Sequence, residues 1–377
     1  MRNHPAIWPS SEWHLSRFKP DEPVLYFAPD VLQQTAQRFL QGFDGLVTYA
    51  VKANDGAVVL ENLVRAGLRA FDVASPAEMA QVRAVLPQAV LHYHNPVRSR
   101  AEIDCAVGHG IASWSVDSLS ELEKLNGVPR ADTEISVRLR LPVAGAAYDF
   151  GEKFGADADL AVQLLKRAAE MGFVTSMTFH PGTQCADPEA WAVYIGEVAQ
   201  VANAAGVTLA RLNVGGGFAA HRTGAAPDLE AIFTRISAEV QRVFGVAAPA
   251  LVCEPGRAMV AEAFTLALRV KAVRDDGSLF LNDGVYGSLT ELRDIGLTDR
   301  VIALREDGSA VGGAAMERVI FGPTCDSIDR LPDPLPLPAE IGEGDYVLFR
   351  AMGAYSASIS TRFNGYGVQD VVTVGAL

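Results

Sequence analysis

Residues Leu46–Glu78 read LVTYAVKANDGAVVLENLVRAGLRAFDVASPAE, and the order of textures in that stretch decides the fold. Leu46 to Val51 is an apolar run of strand length. A helical pattern follows from about Ala57 and closes at Gly67, a residue suited to a left-handed C-cap. Leu68 to Val73 is a second strand-like run, and Ser75-Pro76-Ala77-Glu78 opens the next helix with a capping box and proline at the first helical position.

The rhythm repeats outward from there. Ser99 with Glu102, and Ser118 with Glu121, each stand between a short apolar run and a helical one. Strand-like runs centre on Leu46, Ala70, Val90, Ser113, Ile135, Thr175, Arg211 and Leu251, and eight strands with helices between them predict a closed parallel (β/α)8 barrel of the TIM type in an α/β chain. A doubly wound open sheet is the alternative, but it requires a glycine fingerprint directly after its first strand and none is there. Past Arg257 the texture changes to short alternating runs, Ala263 to Val270 and Tyr346 to Arg350, with turns at Asp276-Gly277 and Gly342-Glu343-Gly344. That part reads as a β-rich second domain, with the proline-rich Leu331 to Pro338 as an extended connection inside it.

A chain of 377 residues, 49% hydrophobic, is large enough for two cores and an enclosed site. A formal charge of -13 supplies no basic face for nucleic acid or anionic membrane. Cys105, Cys185, Cys253 and Cys325 are scattered without paired spacing, which suits a reducing cytoplasm, and neither a secretory signal nor a membrane-spanning run is evident.

Lys52 follows the first apolar run directly. Burial there lowers an amine's pKa, and a neutral amine at a pocket mouth is the nucleophile that forms a Schiff base with an aldehyde cofactor, whereas the plainer reading is a lysine reaching for solvent. Further candidates fall at later strand ends, where a barrel builds its site. His180-Pro181-Gly182-Thr183-Gln184 offers a ring-facing or acid–base histidine; Gly215-Gly216-Gly217 offers a nest of N–H groups for phosphate, or a flexible turn. Glu254-Pro255-Gly256-Arg257 offers a carboxylate for a ring nitrogen and a guanidinium for phosphate, or a salt-bridged turn. Taken together they match the needs of pyridoxal 5'-phosphate. His92-Tyr93-His94 puts two imidazoles on one strand face, as metal hydrolases do, but no matching His/Asp set stands at the later strand ends, so no metal is expected.

Tyr49 to Asn54, His180 to Gln184, Gly215 to Phe218, Glu254 to Arg257, Gly322-Pro323-Thr324-Cys325-Asp326, and Gly353-Ala354-Tyr355 through Asn364-Gly365 resemble, in order and over nearly the whole chain, the signatures of pyridoxal-phosphate basic amino acid decarboxylases of the alanine-racemase-like fold. The Cys-Asp pair is most similar to ornithine decarboxylase; diaminopimelate decarboxylases typically carry glutamate after the cysteine. The resemblance implies a barrel over residues 24–258, a β-rich domain from residues 1–23 and 259–377, and a cytoplasmic head-to-tail homodimer with shared active sites. It implies Lys52 as the cofactor's covalent anchor, His180 on the ring and Glu254 at the pyridine nitrogen. Thr183, Gly215, Gly216, Gly217, Gly256, Arg257 and Tyr355 are implied as phosphate ligands. Cys325, from a neighbouring subunit, is implied as the proton donor to Cα. Asp326 is implied to pair with the substrate's distal ammonium, with Asp294 as a second carboxylate and Tyr286 beside them in Asn282 to Ser288.

The chain departs from the family pattern in three places. It is one residue shorter between Ser288 and Asp294, which moves the expected pocket floor; since a methylene discriminates by only about 1 to 3 kcal/mol, chain-length selectivity stays open. Pro181 and Thr183 replace the commoner valine and serine. The expected activity is decarboxylation of a small basic L-amino acid, ornithine to putrescine as in polyamine biosynthesis, with lysine as the alternative. A racemase would need a second base, and a non-catalytic cofactor-binding protein would have no need of Cys325 and Asp326.

Overall fold

The computed structural model describes residues 6–130, 132–142 and 152–377, in two compact units. One unit, residues 35–219 and 227–258, is a closed barrel of eight parallel strands: Leu46–Ala50, Ala70–Val73, Val90–Tyr93, Ser113–Val116, Glu134–Arg138, Val174–Thr178, Arg211–Asn213 and Ala250–Cys253. The last strand closes on the first in the register Val252 with Leu46 and Cys253 with Val47. Closure leaves no strand edge, and the strands read as buried apolar runs because both of their faces are covered.

The helix starts hold, with two of the three capping boxes only half formed. Ser99 and Glu102 form the full reciprocal capping box of helix Arg100–His109, which ends on left-handed Gly110. At helix Pro76–Val85 the Ser75 hydroxyl accepts from the Glu78 N–H, but the Glu78 carboxylate accepts from Ala74 N–H, one residue before the cap. Glu121 likewise leaves its own cap, accepting from Arg98 N–H and bonding Lys124. The helix after the first strand is Ala57–Arg65, with Gly67 at φ +106 just beyond it. An aromatic cluster supports the glycine loop from below: Trp191 stacks on Phe218 at 5.0 Å and donates its indole N–H to Val214 O. Burying rings of this size contributes several kcal/mol each by area and fixes the loop against the helix Pro188–Ala205.

The other unit, residues 1–34, 220–226 and 259–377, is built on an eight-stranded sheet. Its long strand Phe264–Val273 pairs antiparallel with Val24–Phe27 and with Tyr346–Arg350, and Asp370–Ala376 lies parallel to Val24–Phe27. Its core includes Leu15, Val24, Tyr26, Ala267, Leu304, Tyr346, Leu348 and Val374. Residues 24–34, counted with the barrel on sequence grounds, fall in this unit because the Val24–Phe27 strand is paired on both sides within it. The proline-rich stretch is also more than a connection: Leu335–Pro338 pairs with Ala315–Arg318 in a separate two-stranded ribbon. Such a ribbon leaves one side of each strand free, so prolines lacking N–H groups are tolerated there.

The cysteines are all free thiols, with Cys185 and Cys253 buried and Cys105 and Cys325 exposed. Among the described residues no helix is long and apolar enough to cross a membrane.

Candidate active site

A cavity of about 220 Å³ opens at the C-terminal ends of the barrel strands, lined among others by Lys52, Asp72, His94, Arg138, His180 and Glu254. Each arrives from a different strand end, so the hydrogen-bonded barrel fixes their mutual positions before any loop is consulted. A larger depression of about 630 Å³ lies at the opposite, N-terminal ends of the strands, around Gly45, Arg211 and Ala250, and holds none of the candidate residues.

The first strand stops at Ala50, and Val51–Ala53 form a single 3₁₀ turn that carries Lys52 out of the ladder. Lys52 is therefore exposed, in contrast to the buried amine expected from its apolar neighbours; Val51 and Ala53 on either side of it are the buried pair. The turn is tied to the eighth strand's end by Ala50 N–H to Pro255 O at 3.2 Å and Thr48 Oγ1 to Cys253 O at 3.0 Å. A Cβ on Gly256 would lie 3.1 Å from Ala53 Cβ, so the absence of a side chain there lets the Glu254–Arg257 turn close on the lysine turn.

The glycine loop is held between two other strand ends. Glu254 N–H donates to Gly215 O and Cys185 N–H to Gly217 O, both at 2.8 Å. Gly215 has φ +70 and its Cβ would fall 2.0 Å from Phe179 O; Gly217 has φ +85 and its Cβ would fall 2.4 Å from Gly182 O. No other residue fits either position. Gly215 N–H donates to Asn213 Oδ1, while the N–H groups of Gly216 and Gly217 meet no protein acceptor among the described residues. That is the donor pattern of an anion nest. Arg257 is buried and Thr183 half-buried on the neighbouring turns.

His180 accepts the Gly182 N–H at Nδ1, 3.1 Å, which assigns its proton to Nε2. Burial, then the positive charges of Lys52 and Arg138, push its pKa down to about 3, so the ring is neutral. Glu254 is in the opposite position. Burial would raise its pKa, yet the His94 ring, its hydrogen bond, a second one from Asn213 Nδ2 and the Lys52 charge hold it well below the ordinary carboxylate range. Asp72 goes up, driven by burial and then by the charge of Glu254.

Sequence reasoning did not single out Asp72, Asn213 or Arg138, and it read His94 only with His92. Asn213 was findable as the residue that ends the seventh strand just before the glycines. The two histidines do share a face, but both bond one hydroxyl: Ser113 Oγ lies 2.7 Å from His92 Nδ1 and 2.8 Å from His94 Nε2. With His94 Nδ1 spent on Glu254, the pair forms a hydrogen-bonded relay.

The remaining candidates lie in the other unit, where hydrogen bonds bring the Tyr286 and Cys325-Asp326 segments together. Tyr286 Oη donates to Asp326 Oδ2 at 2.6 Å, and Cys325 N–H donates to Asn364 Oδ1 at 3.2 Å. Buried Asp329 ties the two segments together: Oδ1 accepts from Val285 N–H at 2.9 Å, and Oδ2 accepts from Thr324 N–H at 3.0 Å and its hydroxyl at 2.7 Å. The Tyr286 hydroxyl, then the Ile328 N–H, hold the Asp326 carboxyl below its usual range, so it is ionised at neutral pH. Cys325 is exposed and Asp326 partly so; Asp294 is exposed on the short helix Leu292–Ile295; Tyr355 is half-buried with left-handed backbone, φ +63.

A family model described as pyridoxal-dependent decarboxylase, pyridoxal binding domain, matches residues 30–261. Mouse ornithine decarboxylase is 31% identical over 349 residues, covering 84% of this chain and 73% of its own. Among solved structures, the lysine/ornithine decarboxylase of Vibrio vulnificus in complex with cadaverine superposes with a TM-score of 0.83 at 27% identity, covering 97% of each chain. The arginine decarboxylase of Paramecium bursaria Chlorella virus bound to agmatine gives 0.85 at 25% identity, covering 95% of this chain and 98% of that one.

Proposed function

The chain belongs to the pyridoxal-dependent decarboxylases, and from that membership we propose that it converts L-ornithine to putrescine and carbon dioxide, with L-lysine as the second candidate substrate. The coarser activity, pyridoxal-phosphate-dependent decarboxylation of a small basic amino acid, is common to the relatives named above.

The barrel pocket fits the cofactor. Its lining offers a neutral imidazole for a ring face, an ionised carboxylate for a ring nitrogen and an exposed lysine amine for an aldehyde, and the glycine loop beside His180 and Glu254 adds, for a phosphate, two N–H groups that meet no protein acceptor among the described residues, with buried Arg257 on the turn after Glu254. In this reading Lys52 anchors the cofactor; Gly215, Gly216, Gly217, Thr183, Gly256, Arg257 and Tyr355 hold its phosphate; His180 packs on the ring. Bound pyridoxal phosphate supplies an electron sink conjugated to the substrate's Cα, and that is the chemistry decarboxylation needs. Glu254 keeps a proton on the ring nitrogen by staying ionised beside it. Lys52 would supply the amine that holds the cofactor's aldehyde carbon. Asp326, oriented by Tyr286, pairs with the distal ammonium, and Asp294 is the second carboxylate for that charge. Cys325 of the partner subunit delivers the proton to Cα, in a cytoplasmic homodimer with shared sites.

The observation that carries the substrate proposal is Asp326: a carboxylate directly after the cysteine, partly exposed, kept ionised and aimed by a tyrosine hydroxyl. Carbon dioxide release from ornithine, lysine, arginine and diaminopimelate, measured side by side, tests it. Turnover of ornithine, with lysine second, is expected; turnover of diaminopimelate alone refutes it, and cofactor binding with no release from any of the four favours a non-catalytic protein. Mixing a Lys52 variant with a Cys325 variant is expected to restore part of the activity, and no recovery argues for sites built within one chain.

A further inference from the structure

We infer that His94 is a positioning residue: its Nδ1–H bond to Glu254 Oε1 fixes that carboxylate, keeps it ionised and leaves Oε2 for the ring nitrogen. The inference rests on the reading that Glu254 faces that nitrogen.

The wiring around Glu254 follows from counting protons. His94 Nδ1 and Glu254 Oε1 are in hydrogen-bond contact, which requires a proton between them. Asn213 Nδ2 is the second donor to the same oxygen, and its amide orientation is set by Gly215 N–H donating to Oδ1 at 2.9 Å. Oε1 is thus saturated from two directions, and Oε2 is the atom the cavity can use. On the far side of the ring, His94 Nε2 lies 2.8 Å from Ser113 Oγ, and the same oxygen lies 2.7 Å from His92 Nδ1. A doubly protonated His94 donates at both nitrogens, the Ser113 hydroxyl accepts from Nε2–H and donates its own O–H to His92 Nδ1, and His92 stays neutral. Burial, then the neighbouring His94 charge, keep His92 from taking a proton, with a pKa lowered to about 3.

Asp72 closes the set. Its Oδ1 is 3.6 Å from His94 Nδ1, beyond a hydrogen bond, and is buried with no hydrogen-bond partner among the described residues. Two carboxylates therefore face one imidazole, and only Glu254 has the donors that hold it charged. The groups acting on the triad include Asp72 and Glu254 themselves, Glu134 toward His94, His92 through Ser113, Glu78 toward Asp72, His180 and Cys253 beside Glu254, and Lys52 and Arg138 toward the carboxylates. Of these, after its own burial, the carboxylates drive His94 toward its protonated form. A serine-linked histidine pair has no such consequence if it only packs the barrel.

The test compares wild type, His94→Leu, His94→Asn and Glu254→Gln by two readouts other than turnover: the equilibrium dissociation constant for pyridoxal 5'-phosphate, and the visible spectrum of the holoenzyme between pH 5.5 and 9. Losing one hydrogen bond to a charged group predicts a dissociation constant weaker by about ten- to a hundredfold in His94→Leu, with a spectral transition in that window that the wild type lacks. Asparagine places an amide N–H where Nδ1 stands, so His94→Asn is expected to recover part of the affinity. A leucine variant within twofold of wild type and without the added transition overturns the inference, as does an asparagine variant no better than leucine. Should the leucine variant fail to fold by circular dichroism, the asparagine variant decides alone: a weakened constant with the added transition upholds the role, and wild-type behaviour in both readouts overturns it. A Glu254→Gln holoenzyme spectrally identical to wild type defeats the underlying reading of Glu254 instead.

Discussion

Replacing Asp329 with alanine tests how the Cys325-Asp326 segment is held. The Asp329 side chain is 1% exposed, and its two oxygens accept three hydrogen bonds, from Val285 N–H, Thr324 N–H and the Thr324 hydroxyl. Room for it exists only because two neighbours are glycine: a Cβ on Gly284 or Gly322 would stand 2.1 Å or 2.2 Å from Asp329 Oδ1. Hydrogen bonds to a charged acceptor are worth about 1.5–3 kcal/mol each, but water entering the vacated space would satisfy some donors, so a net loss of about 3–5 kcal/mol is expected. Urea denaturation monitored by fluorescence measures it. Because Asp329 braces the segment carrying Asp326 and Cys325, kcat/KM should fall at least about tenfold, the equivalent of about 1.4 kcal/mol in transition-state stabilisation, while cofactor colour persists. A variant that loses less than about 1 kcal/mol of stability and turns over normally would show that the carboxylate does not brace this segment.

Three further outcomes follow from the barrel. Lys52→Ala should abolish both the visible absorbance of added pyridoxal phosphate and carbon dioxide release, with no borohydride-fixed cofactor found by mass spectrometry; retained turnover counts against the anchoring role. Gly217→Ala should weaken cofactor affinity at least about tenfold, since the left-handed backbone costs about 1–2 kcal/mol and the contact with Gly182 O about 1–3 more; an affinity within twofold of wild type refutes the nest. His92, neutral in the fold with a pKa of about 3 against 6.5 unfolded, takes up its proton only on unfolding, so its contribution to stability is intact above pH 6.5 and drains away as pH falls toward 3. Between pH 6 and 4.5 that amounts to about 2 kcal/mol, and His92→Gln should flatten the acid limb of the denaturation profile by this much; an unchanged limb refutes the assignment.

The barrel was legible because its signals are local. Most strands are short, largely buried runs carrying apolar residues, and Ser75, Ser99 and Ser118 mark helix starts whatever lies elsewhere in the chain. What the residues could not give was the destination of long, flexible carboxylates. Glu78 and Glu121 sit in capping positions yet spend their oxygens elsewhere: Glu78 on Ala74 N–H and Glu121 partly on Lys124, local alternatives to the cap, while Arg98 N–H reaches Glu121 from 23 residues away. Lys52 was misjudged for a related reason: apolar flanks suggested burial, but a single 3₁₀ turn rotates the flanks inward and the amine outward. Residues 24–34 were counted with the barrel because strand pairing is non-local, and nothing in the four residues Val24–Phe27 says which sheet they join.

The same locality separates the two halves of the chemistry. Apart from Tyr355, the residues assigned to the cofactor stand at or just past the ends of strands locked in a closed ladder, with glycines whose replacement would strike backbone oxygens at 2.0 and 2.4 Å; these positions can change little without breaking the barrel. Residues assigned to the substrate stand on turns of the other unit, secured by a few side-chain bonds to Asp329 and Asn364, and Asp294 sits exposed on a one-turn helix. Turns held this way accept a one-residue shortening at modest cost. A methylene's worth of discrimination, about 1 to 3 kcal/mol, is of the same size as the bonds that place those turns. Substrate length can therefore drift among relatives that keep the cofactor site intact, which is consistent with ornithine, lysine and arginine enzymes sharing this fold at 25–31% identity with the chain. It also means that substitutions in the Ser288–Asp294 segment should move the ratio of ornithine to lysine turnover without moving cofactor affinity, whereas substitutions at Gly215 or Gly217 should do the reverse.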